Sequence, residues 1–235
     1  MYKNILGITN AKTVKGEKLG YLTGILYLSP SDIVDGVNLC KFASKGCREA
    51  CLYTAGRGRF SNVQQARKRK TELYRDDIEL FMQSIAKDIK RVKRKSLRDG
   101  KIAAIRLNGT SDIRFEDIRN SKGQNIFEMY PEIQFYDYSK DHLRVDALTG
   151  KWSNYHLTFS MNESRANQKN AIKLLQLGVN VAVVFDQLPS KFIGYRVING
   201  DETDLRFLDD KGVIVGLTAK GDAKKDQSGF VQRVA

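Results

Sequence analysis

The chain has 235 residues, 41% of them hydrophobic, with 40 Lys and Arg against 27 Asp and Glu for a formal net charge of +13. That composition is enough for a packed core and excludes a disordered chain, and no run of about 18 apolar residues is present to cross a membrane. The positive excess makes a polyanion, nucleic acid above all, a candidate partner; the competing reading is a solvated basic surface.

The N-terminus lacks the apolar core of a signal peptide, so the expected location is the cytoplasm. Nothing along the chain reads as a linker, so a single α/β domain over 1–235 is expected. Tyr21 to Ser29 (YLTGILYLS) predicts a first buried strand, stopped by Pro30. A turn-rich connection follows, and then the stretch LCKFASKGCREACLYTAGRGR over residues 39–59. It contains Cys40, Cys47 and Cys51, which are all the cysteines of the chain. A tight, odd-numbered group of thiols in a reducing compartment reads as a ligand set, not as disulfides.

Ser61 to Tyr74 predicts a basic helix, with Ser61 as its N-cap. A second helix is predicted from about Asp76 to Leu97, where Asp76 and Glu79 have capping-box spacing. Ile78, Phe81, Met82, Ile85, Ile89 and Val92 form its apolar face. Its last turns hold the basic run KDIKRVKRKSLR, residues 87–98. That run suits the negative end of the helix dipole as well as it suits a polyanion.

From there the pattern becomes strand, polar end, helix. Lys101 to Leu107 ends in Asn108, Gly109, Thr110, Ser111 and Asp112. Glu132 to Tyr136 ends in Asp137, Tyr138, Ser139 and Lys140. His156 to Phe159 ends in Ser160, Met161, Asn162 and Glu163, and Ser164 then caps a helix over Arg165 to Leu177 that Gly178 closes. Asn180 to Phe185 and Gly212 to Leu217 predict further strands, with a short one at Gly194 to Ile198. Six or seven βα-like units predict a mostly parallel sheet with outer helices and a ligand site at the C-terminal edge of the strands. The polar tail from Asp222 is expected to gain order only by docking.

The spacing C-x6-C-x3-C fits a compact iron–sulfur cluster, and three thiolates on a four-iron, four-sulfur (4Fe-4S) cluster leave one iron open. Lys41, Lys45 and Arg48 are expected to favour the thiolate form. Zinc is the competing metal, with His142 a better fourth ligand than His156; three unliganded thiols are the bland alternative. Thr54 to Arg59 (TAGRGR) reads either as a phosphate-approaching loop or as an ordinary one. Asp201, Glu202, Asp204, Asp209 and Asp210 read either as a site for a hard cation or as a solvated turn. Phe135, Tyr136 and Tyr138 read as base-stacking or core aromatics.

Three cysteines in the loop after the first strand of a barrel-like α/β chain resemble the radical S-adenosylmethionine enzymes. The longer stretch LYLSPSDIVDGVNLCKFASKGCREACLYTAGRGRF is similar to the phage gene product 88-like proteins. So are RLNGTSDI, FYDYSK, LTFSMNES, VAVVFD and DKGVIVGLTAKG. The first resemblance implies a partial (β/α)6 barrel and a 4Fe-4S cluster on Cys40, Cys47 and Cys51. It also implies S-adenosylmethionine as a cofactor, cleaved to a 5′-deoxyadenosyl radical by an electron from a separate donor. It puts cofactor contacts at Asn108, Gly109, Thr110, Ser111 and Asp112 and at Ser160, Asn162 and Glu163, and it turns Asp137, Tyr138 and Lys140 toward a substrate. The cysteine spacing departs from the usual C-x3-C-x2-C, and NVAVVFDQLP has no match to the usual glycine-rich motif. The alternative is a cluster protein without that activity, binding nucleic acid or another phage or host component through its basic helices.

Overall fold

The computed structural model describes residues 4–9 and 11–234. In chain order the helices are α1 (Ala11–Glu17), α2 (Lys45–Glu49), α3 (Ser61–Asp76), α4 (Ile78–Arg98), α5 (Ile126–Met129), α6 (His142–Leu148) and α7 (Arg165–Gln176). The strands are β1 (Leu6–Gly7), β2 (Tyr21–Leu26), β3 (Ile102–Arg106), β4 (Gln134–Ser139) and β5 (Tyr155–Ser160). They continue with β6 (Val181–Phe185), β7 (Lys191–Phe192), β8 (Tyr195–Asn199), β9 (Ile214–Thr218) and β10 (Val231–Gln232).

Among the described residues these make a ten-stranded sheet in the order β1-β2-β3-β4-β5-β6-β9-β8-β7, with β10 on β6. Only β1 on β2 and β7 on β8 are antiparallel. The sheet runs from β1 to β7 and does not close into a barrel. Sequential parallel strands whose crossovers all turn right-handed stack their helices on one face. That face carries the main core: Phe81, Ile85, Ile89 and Val92 of α4, Val145 and Leu148 of α6, and Leu174 and Leu175 of α7 pack on Leu22, Ile105, Phe135 and Phe159. The opposite face is covered only in part. Leu205 packs there on Ala104 and Tyr136, with Tyr21 and Phe207 beside them.

Local sequence explains the main elements. Asp77 caps α4 by accepting from the Leu80 N–H at 2.9 Å, so the cap is one residue later than Asp76. Ser164 caps α7 as expected. Ser61 is the first residue of α3 and not its cap. Strand β4 reaches Ser139, because it pairs with β5 as far as Ser139 on Phe159; Asp137 and Tyr138 therefore lie inside the strand. Two ladders stop early. Strands β3 and β4 pair only at Ala104 and Ile105, and β5 and β6 pair only at Phe159 and Ser160. The C-terminal tail fills the second gap: β10 lies parallel to β6 at Val184 and Phe185, with Phe230 and Val231 buried. The tail is thus ordered by strand addition at the split.

Candidate metal centre

The cysteine segment is tied down at its N-terminal end by both backbone groups of Leu39. The Leu39 N–H donates to Ser31 O at 2.9 Å, and Leu39 O accepts from Asp112 N–H at 2.7 Å. Its centre is the short helix α2. Ser44 Oγ accepts from Cys47 N–H at 3.2 Å, the usual N-cap bond. Ser44 Oγ donates in turn to Glu163 Oε2 at 2.6 Å, and Glu163 Oε1 accepts from Gly46 N–H at 2.8 Å. A carboxylate at a helix N-terminus is favoured by the exposed N–H groups there. Gly46 lets the carboxylate come this close: a Cβ would stand 2.1 Å from Ser228 Oγ and 2.9 Å from the Glu163 carboxyl carbon and would push both side chains aside. Cys47 sits in α2, Cys40 before it and Cys51 directly after, all three half-buried free thiols.

All three cysteines line one cavity of about 210 Å³ at the C-terminal edge of the sheet. The strand ends supply the rest of the wall: Arg106, Asn108 to Asp112, Tyr138 to Lys140, Ser160, Val184, and Leu217 with Thr218. Ala223 and Phe230 of the tail complete it. Gly109 lets the β3 loop lie against β2, since a Cβ there would meet Leu26 O at 2.6 Å. Cys40 Sγ points at Thr110 O across 3.8 Å.

Burial pushes the Cys40 thiol up to about 12, and it raises Cys51 as well. The basic neighbours expected to lower these values look elsewhere. Lys45 faces Glu49 at 3.9 Å, Arg48 pairs with Asp32 at 3.1 Å, and Lys41 is exposed. The cations that act on Cys51 are Arg67 and Lys140. Arg67 reaches in from α3 and is buried between the Tyr27 and Tyr53 rings, 5.1 and 5.4 Å from their centroids. Its Nε and Nη1 have no hydrogen-bond partner among the described residues. Sequence reading missed Arg67, because a basic helix looks like a solvated one until its packing is known; Lys68 and Arg69 beside it are indeed exposed.

The residues expected at a cofactor divide into two sets. Gly109, Thr110, Ser111 and Ser160 are on the cavity wall. Asn108 and Asp112 are there too, but their polar atoms are engaged. Asn108 Nδ2 donates to Ile113 O and Asp137 Oδ2, and its Oδ1 accepts from Ser111 and Ile113. Asp112 accepts from the Lys140 N–H at 2.9 Å and from Arg144 Nη1 at 2.8 Å. Asn162 and Glu163 are off the wall: Asn162 accepts from Ser164 N–H in the turn into α7, and Glu163 holds α2.

Tyr138 and Lys140 face the cavity, on the side of β4 away from the helices. Asp137 points the other way. It is buried, accepts from Asn108 N–H at 2.7 Å, and so bridges the gap where the β3–β4 ladder stops. Burial pushes its carboxyl up to about 7, against Arg144 and Asn108.

The acidic group disperses into separate pairs: Asp201 with Lys220, Asp204 with Arg106, Asp209 with Arg206 and Asp210 with Arg196, while Glu202 accepts from Asn199. No cation site forms there. Part of the basic run is also paired, Lys93 with Glu132, Arg91 with Asp88 and Lys95 with Asp99. Residues 54–59 form tight turns packed by Gly58 on Tyr53 O. Phe135 and Tyr136 are core residues. His142 starts α6 and His156 lies within β5. Among the described residues, no group of three or more His, Cys, Asp or Glu side chains is arranged to hold a metal ion.

Parallel strands in sequential order, bringing their C-terminal ends to one cavity, define an α/β protein of the kind that binds ligands at that edge. The Gene product 88 family model matches residues 3–234, and the chain belongs to this family of phage proteins. Neither a curated protein nor a solved structure matches the chain. Among the described residues, no helix is long and apolar enough to cross a membrane.

Proposed function

We propose that Cys40, Cys47 and Cys51 hold a 4Fe-4S cluster at the cavity, with one iron lacking a protein thiolate. The observation that carries this reading is that all the thiols of the chain share one cavity wall with the strand ends. The donor set fits the group, since soft thiolates select iron–sulfur clusters and a cluster spreads its ligands over several irons. Arg67 supports the fit independently. A buried guanidinium with no acid partner is costly beside neutral thiols and is compensated beside thiolates. The bound cluster supplies electron transfer and an open coordination position for a small molecule.

The chain's own residues do the positioning. Glu163 fixes the N-terminus of α2 and with it Cys47. Arg67 and Lys140 set a positive field at Cys51. The tail residues Ala223 and Phe230 shield the cavity from water.

In this reading the small molecule is S-adenosylmethionine, and the protein is an enzyme of the radical type. Gly109, Thr110, Ser111 and Ser160 are its contacts on the wall; the Thr110 and Ser111 hydroxyls donate to Leu28 O and Asn108 Oδ1 and offer it their lone pairs, and Asn108 and Asp112 hold the loop behind them. Tyr138 and Lys140 face the substrate. The sequential parallel order from β2 to β6 supports a wall of the partial (β/α)6 kind. Anaerobic reconstitution tests both steps. Iron and sulfide bound in stoichiometric amounts, and reductive cleavage of S-adenosylmethionine to 5′-deoxyadenosine, are the expected results. Absence of iron and sulfide overturns the cluster. A loaded protein that leaves S-adenosylmethionine intact overturns the enzyme and leaves a cluster protein.

A further inference from the structure

We infer that the floor of the cavity is a subsite for a small apolar molecule ending in one carboxylate, bound by Lys140. The inference rests on the cavity being a ligand site, the same site as in the proposed function, but not on the cluster.

The charges of the wall decide the sign of the ligand. Asp112 is taken by Arg144, Asp201 by Lys220, and Arg106 by Asp204 at 2.9 Å. Lys140 remains. Its ammonium donates to the Ser160 hydroxyl at 2.6 Å and lies 5.3 Å from the Phe230 ring centroid, and among the described residues it has no carboxylate partner. Lys140 acts on Cys51, but with no carboxylate partner among the described residues its ammonium in a half-buried wall matches one negative charge on the occupant. A carboxylate carries that charge, whereas a phosphate monoester carries about −1.5 to −2.

Tyr138 contributes its ring to the same wall. It stands two residues before Lys140 on the cavity side of the sheet, with the Arg106 guanidinium carbon 4.5 Å from its ring centroid, and its hydroxyl is buried away from the cavity. Arg106 is itself held by Asp204, which also accepts from Tyr136 Oη at 3.2 Å, so neither brings a free charge to the occupant.

The remaining wall sets the body of the ligand. Pro30, Ala43, Leu52, Val184, Leu217 and Phe230 are apolar. The subsite is only the part of this wall around Lys140, so its occupant is a short-chain or single-ring acid.

Calorimetric titration of the purified protein with acetate, hexanoate, hexanamide and hexyl phosphate tests the inference, with iron and sulfide measured on the same preparation. Hexanoate is expected to bind saturably and more tightly than acetate. Hexanamide, hexyl phosphate and the Lys140→Met variant with hexanoate are each expected to be weaker by about tenfold or more, the loss of one charge-assisted contact. No saturable binding of hexanoate, equal binding of the amide or the phosphate, or an unchanged affinity in Lys140→Met overturns the subsite. A preparation that binds hexanoate but no iron keeps this inference and defeats the proposed cluster; one that holds iron but binds no hexanoate does the reverse.

Discussion

Glu163 holds the helix that carries Cys47: its two carboxylate oxygens take the Gly46 N–H at 2.8 Å and the Ser44 hydroxyl at 2.6 Å across more than a hundred residues of chain. Hydrogen bonds to a charged group contribute about 1.5–3 kcal/mol. Glu163→Ala is expected to lower stability by about that amount and to expose Cys47 to alkylation in the folded state. Mass spectrometry of alkylated peptides, set beside the urea midpoint, reads both. Gly46→Ala is expected to reproduce the effect, because its Cβ would displace Ser228 and the Glu163 carboxyl. Unchanged Cys47 reactivity in both variants contradicts the anchoring role.

Arg67 is predicted to matter to the loaded site and little to the empty one. In Arg67→Met the relief of burying a charge offsets the lost contacts with Tyr27 and Tyr53, which contribute about 0.5–2 kcal/mol each. Thermal unfolding of the metal-free protein should therefore shift by only a few degrees, while iron retained after gel filtration falls. Full retention of iron contradicts the assignment of Arg67 as counter-charge.

The tail closes the cavity through Phe230, which is 8% exposed and packs with Val231, Ala219 and Ala223. Phe230→Ala is expected to cost about 3 kcal/mol in chemical denaturation and to admit solvent to the thiols. A cost below 1 kcal/mol, with thiol accessibility unchanged, means the tail is not part of the site.

His156 is expected to contribute an acid limb to the stability profile. Burial, with Arg206 and Lys211 nearby, pulls its pKa down to about 4, and its Nε2 has no hydrogen-bond partner among the described residues. A depressed folded-state value favours the neutral ring, so its contribution is complete above about pH 6.5 and is lost as pH falls toward 4. His156→Gln should flatten that limb, by on the order of 2 kcal/mol between pH 7 and pH 4.5 in urea titrations. Asp137 works in the opposite sense. Its raised value gives a contribution complete below the usual carboxylate range and lost as pH rises through about 7.

Much of the site was readable from the chain. Three clustered thiols and a series of polar strand ends, NGTSD, Tyr138 to Lys140 and Ser160, come together because parallel strands carry their C-terminal ends to one edge. Strand alternation alone separates Tyr138 and Lys140 from Asp137, once β4 is extended to Ser139. What stayed hidden depends on distant partners. Glu163 looks like a cavity carboxylate until Gly46 is brought to it, Arg67 looks solvated until Tyr27 and Tyr53 enclose it, and β10 exists only because β5 and β6 part. Helix α6 was missed because its seven residues carry a weak apolar pattern; Asp141 caps it, accepting from Arg144 N–H at 3.3 Å.

The central claim is tested most directly by the iron and acid-labile sulfide content of anaerobically reconstituted protein, measured beside a Cys47→Ala variant. The account predicts near-equal iron and sulfide at about four of each per chain, with most of both lost in the variant. A wild-type protein that binds neither, or a variant that binds as much as the wild type, contradicts it.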